Sequence, residues 1–77
     1  MINTSPQELA AKARQESHVN LSIAAHYAQL AMGFLEIADD DGARYALVRF
    51  RENTVAALRE FKAVRTLVID QSSGAAE

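Results

Sequence analysis

The chain has 77 residues, a net charge of -2, no cysteine and a single proline. That length allows one small domain, and the missing cysteines exclude a disulfide staple or a thiolate metal site, so self-association is the remaining reinforcement for so small a scaffold. Apolar runs are short and interrupted, and no basic segment leads into a hydrophobic stretch at the N-terminus, which points to a soluble, cytoplasmic protein without a membrane partner.

Beyond a loose lead over Met1 to Thr4, Ser5-Pro6-Gln7-Glu8 is a helix start. Serine can cap, proline suits the first helical position, and Glu8 stands where a capping box needs an acid. From Pro6 to Ala38 there is no further proline and only one glycine, Gly33, so one helix is expected over 6–38. A break near Ser17 or His18 is the alternative, because Ser-His-Val-Asn is a poor helix former.

Asp39-Asp40-Asp41-Gly42 then reads as a turn, with its acids able to cap a second helix over about 43–69. Its oxygen ligands lack the alternating spacing and distal glutamate of a calcium loop. Residues 70–77 have the composition of a flexible tail. The fold class expected is all-α: an antiparallel hairpin of two long helices in a single domain, assembling into a helical bundle, most simply a four-helix homodimer.

Apolar residues recur with alternating four and three spacing. Ile23, Tyr27, Leu30, Phe34 and Ile37 precede the turn, and Ala43, Leu47, Phe50, Ala57, Phe61, Val64 and Val68 follow it. The expected core is therefore Ile23, Tyr27, Leu30, Phe34, Ile37, Leu47, Phe50, Phe61 and Val64, with the first seam continuing back through Asn20, Glu16, Ala13 and Leu9. Folding about residue 40 pairs positions whose numbers sum to about 81. Leu30 would then meet Phe50, Phe34 would meet Leu47, Tyr27 would meet Thr54, and Glu16 would reach Arg65.

Projected at about 100° per residue, the first helix carries an apolar arc of roughly 240° from Ile37 and Leu30 through Leu35 and Leu21 to Met32 and Ala25. Ser22, His26, Gln29, Gly33 and Glu36 form the polar remainder. A hairpin partner covers about 100° of such an arc, so a second contact is expected. Small residues follow the large seam by one position, and Ala24, Ala28, Ala31 and Leu35 are the expected self-association flank.

Charge is divided between the helices. Residues 1–41 carry Lys12 and Arg14 against six acids, whereas residues 42–69 carry six basic residues against Glu52 and Glu60. Two helices that complement each other explain this most simply. A sharper reading is a basic ridge, since Arg44, Arg51, Lys62 and Arg65 fall within about 60° on the second helix. That ridge is the candidate site for an acidic partner or an anion.

No catalytic, metal or cofactor site is expected. His18, Ser22 and His26 lie a turn apart, but no further ligand completes a metal site and nothing builds an oxyanion hole. His26-Tyr27-Ala28-Gln29-Leu30 resembles the phosphorylatable segment of histidine phosphotransfer domains, with Gln29 and Leu30 where that motif has lysine and glycine. Tyr27, Leu30, Ala31 and Phe34 resemble a tetratricopeptide helix, but only one unit is present and bulky Phe50 stands where a small residue belongs. Ala46-Leu47-x-x-Phe50-x-Glu52, following an acidic turn and an Ala-x-Leu-Ala helix, is similar to small phage-type helical sponges. That resemblance implies an oligomer in which basic and aromatic residues clamp cyclic oligonucleotides.

The functional expectation is a non-enzymatic interaction protein that self-associates and binds a protein partner as a stoichiometric regulator or inhibitor. A phage or mobile-element origin is suggested by size alone. The alternative is an oligomeric sponge for cyclic nucleotides or RNA that uses the ridge.

Overall fold

In the computed structural model, which describes residues 5–76 and side chains as far as Leu67, the chain is an antiparallel hairpin of two helices. Helix α1 spans Pro6–Glu36 and helix α2 spans Asp40–Ala76. The lead over 1–4 and the seam position at Val68 lie outside what is described.

The start of α1 follows from its first four residues. Ser5 keeps an extended backbone at φ -71° and ψ 157°, and its hydroxyl accepts from the Glu8 amide at 3.1 Å. The Glu8 carboxylate accepts from the Ser5 amide at 3.0 Å, so two otherwise orphaned N–H groups are satisfied. No break occurs at Ser17 or His18: α1 is continuous.

The ends of the helices differ from the sequence expectation. Helix α1 stops at Glu36, Ile37 is its C-cap, and Ala38 adopts a left-handed backbone at φ 58°. The Asp39 amide donates to the Phe34 carbonyl at 2.9 Å and the Ala38 amide to the Leu35 carbonyl at 3.2 Å. This pairing is a Schellman stop in which alanine occupies the position usually given to glycine. Asp39 then caps α2, its Oδ1 accepting from Gly42 N–H at 3.0 Å. Gly42 therefore belongs to the first turn of α2. At the other end α2 continues to Ala76, so the segment expected as a tail is helical in the structure.

Centring the turn on Ala38 instead of residue 40 moves the register by about four or five residues. Ser17 Oγ donates to the Ala57 carbonyl at 2.9 Å, the rings of Tyr27 and Tyr45 meet edge to face at 6.1 Å, and Phe34 packs on Gly42. Tyr27 thus meets Tyr45 instead of Thr54, Phe34 packs on Gly42, and Glu16 and Arg65 form no ion pair. Among the described residues the one ion pair is Arg49–Glu52 within α2, so the opposite charges of the two helices do not meet as cross-helix salt bridges.

The seam itself is made of small side chains. Ala10, Ala13, Ser17, Ala24 and Ala31 of α1 are buried against Ala43, Ala46, Ala57 and Val64 of α2, and Ala46 is wholly inaccessible. Leu67 packs against the Ala10, Ala13 and Val64 end. Alanine at successive seam positions lets two backbones approach closely, and the hydroxyl of Ser17 can reach across only because of that approach.

This corrects the expected core. Val64 is buried and Tyr27 and Phe34 are half-buried, but Ile23, Leu30, Ile37, Leu47, Phe50 and Phe61 are all exposed, Ile37 by 72%. Leu9 and Glu16, expected as a continuation of the seam, are exposed too. On α1 the large-residue and small-residue heptads lie one position apart, a rotation of about 100° around the helix, whereas on α2 Ala43, Ala57 and Val64 of the expected heptad are themselves buried. The single partner helix takes the small stripe and leaves the large one outside.

Candidate interaction surface

The chain is one helix thick. Its extents are 57 × 28 × 13 Å and its radius of gyration is 17.4 Å, against about 11 Å for a compact chain of this length. Both broad faces of the hairpin are consequently open, and each is defined by which flank of the alanine seam it continues.

One face continues the seam on the side of Ser17 and Ala57. There Leu21, Thr54, Leu58 and Phe61 line a groove whose floor is Ser17 and Ala57. Both hydroxyls in it are engaged with backbone: Ser17 with the Ala57 carbonyl, and Thr54 with the Phe50 carbonyl at 2.7 Å. Nearer the turn, Leu35, Ala43, Leu47 and Val48 line a second groove with Arg44, Arg51 and Asp40. Leu21, Leu35 and Leu58 are 52%, 57% and 53% exposed, a large apolar display.

The opposite face is mixed. Its α1 half offers Ile23 and Leu30, but its α2 half carries Arg49, Glu52, Asn53 and Glu60. Asn20 Nδ2 donates to Glu60 Oε1 at 2.7 Å across the helices. Arg49 stacks over the Tyr45 ring at 5.5 Å and pairs with Glu52 at 3.2 Å. The adjoining Tyr45 hydroxyl raises the pKa of Tyr27, while the Arg49 charge opposes that rise. His26 lies edge to face against Tyr27 at 5.6 Å and is exposed.

The residues expected to form a ridge are partly brought together. Arg44 and Arg51 share the groove near the turn, whereas Lys62 and Arg65, both exposed, stand farther along α2. The expected self-association flank is not free. Ala24 and Ala31 are buried in the hairpin seam, Ala28 is half-buried at its edge, and Leu35 alone of that set is openly displayed. The expected site residues do not include Leu21, Leu58 or Thr54, and of these only Leu21 stands in the wide apolar arc read for the first helix.

No described group of three or more histidines, cysteines or carboxylates could hold a metal ion, and no described helix is long and apolar enough to cross a membrane. Comparison of the chain with protein families, curated proteins and solved structures finds no match.

Proposed function

We propose that the protein is a non-enzymatic helical interaction module that self-associates and acts as a stoichiometric regulator or inhibitor by occluding a protein partner's surface. The observation that supports this is the inversion of the usual layout: alanines make the intramolecular seam, and the large apolar side chains stand outside it. Such residues on a single-layer hairpin are binding surface. Arg44 and Arg51 would steer an acidic surface into register while Val48 and Val55, exposed beside them on α2, supply affinity. Native mass spectrometry of the protein isolated from cells tests the reading. A complex with one protein at fixed stoichiometry, weakened by Arg51→Glu, is expected; a chain that carries no protein at any ratio would overturn it.

The second reading is an oligomeric sponge or binder of cyclic nucleotides or RNA, favoured by the convergence of two guanidinium groups on one apolar groove. A thermal shift with cyclic dinucleotides or short RNA, abolished by Arg51→Glu, would establish it, and no shift with any of them would eliminate it.

A further inference from the structure

We infer that the face bearing Leu21, Leu35, Leu47, Phe50, Leu58 and Phe61 is covered by a second copy of this chain, docked about a two-fold axis to make a four-helix bundle, while the Tyr27–Tyr45 face stays open. This rests on the self-association part of the reading above and assigns it a surface. Three observations carry it.

The first is area. The chain exposes 5899 Å². A folded monomer of its 8.4 kDa exposes about 4,600 Å² by the surface–mass relation. The excess of about 1,300 Å² per chain exceeds the roughly 800 Å² per partner of a standard stable interface. Burying one broad face removes surface of that order.

The second is composition. On α2, Leu47, Phe50, Leu58 and Phe61 fall within about 80° of one another in helical projection, and Leu21 and Leu35 adjoin them across the seam. The two hydroxyls on this face already have partners, and Arg65 and Arg51, which project within and beside the same sector, are exposed long side chains whose guanidinium groups can stay in water at the rim. The opposite face would have to desolvate Arg49, Glu52 and Glu60, of which the first two already form an exposed ion pair.

The third is shape. An isologous interface needs one patch to hold both a ridge and the hollow that receives it. Here the groove floored by Ser17 and Ala57 is the hollow, and its own walls, Leu58 and Phe61, are the ridge. Arg44 and Arg51 border the apolar patch, which suits the polar rim of such an interface.

Analytical ultracentrifugation of the wild type, Leu58→Glu and Ile23→Glu across a concentration series tests this. The expected result is a dimer for the wild type and for Ile23→Glu, with Leu58→Glu shifted to monomer by at least tenfold in dissociation constant. A dimer that survives Leu58→Glu but is lost in Ile23→Glu overturns the assignment of the face and leaves self-association standing. A wild type that is monomeric throughout overturns both. If Leu58→Glu loses its helical circular dichroism, Leu58→Cys decides instead, because the chain has no other thiol. Maleimide labelling of that thiol should be slowed at high protein concentration and restored on dilution, and equal rates at both concentrations would refute the inference.

Discussion

Phe34 lies over Gly42 so closely that a β-carbon at position 42 would stand 2.6 Å from the Phe34 ring, at its Cδ1 atom. The glycine is helical and has no positive φ, so its role is clearance and not conformational freedom. Gly42→Ala gains about 1 kcal/mol of helix propensity but forces the ring or the helix to move, an overpacking penalty of about 1–3 kcal/mol. The variant should be no more stable than the wild type and is expected to melt lower. Gly42→Ala combined with Phe34→Leu should recover part of the loss, and additive effects in that double-mutant cycle would contradict the contact.

Ala38 poses the opposite case. Its backbone sits at φ 58°, where an L side chain is disfavoured by about 1–2 kcal/mol and glycine is not. Allowing for the greater freedom glycine has when unfolded, Ala38→Gly should stabilise the hairpin by about 0.5–1 kcal/mol and raise its melting temperature by a few degrees. An unchanged or lower melting temperature would show that the Schellman turn is not formed as described.

The hydroxyl of Ser17 provides a buried bond between helices far apart in sequence. Its removal in Ser17→Ala should cost about 1 kcal/mol in chemical denaturation, whereas Ser22→Ala, at an exposed position of the same helix, should change stability by less than about 0.5 kcal/mol. Equal effects of the two substitutions would remove Ser17 from the seam.

The capping box makes a prediction about acid. The Ser5 amide, followed by the Ser5 hydroxyl, holds the Glu8 carboxyl below its ordinary value of 4.5. A carboxyl with a depressed folded pKa stabilises above its unfolded pKa, and that contribution disappears as pH falls through the folded value. Helicity of the wild type should therefore decline between about pH 5 and pH 2 with a component that Glu8→Gln lacks. Superimposable acid titrations would show that the bond contributes nothing in solution.

Much of the architecture was legible because it depends on local chemistry. Ser5, Pro6 and Glu8 announce the start of α1, and the absence of proline or a second glycine through Ala38 keeps it continuous past Ser17. The acidic run does cap α2, through Asp39. The glycine misled: a sequence places Gly42 in the turn because glycine usually stops a helix, whereas here it makes room for Phe34 and Ala38 takes the left-handed position.

By itself the amino-acid sequence determined that the chain is two long antiparallel helices with more apolar surface than one partner can cover, because periodicity, caps and the width of the apolar arc are properties of each helix alone. Only the tertiary structure decided which of two adjacent heptads becomes the seam. Ala24 and Ala31 go inside, and Leu30 and Phe50 are left exposed. On α1 two stripes about 100° apart have the same period, so the pattern cannot rank them. The choice depends on how closely two backbones can approach and on where the turn sets their register, and both arise only when the helices are put together.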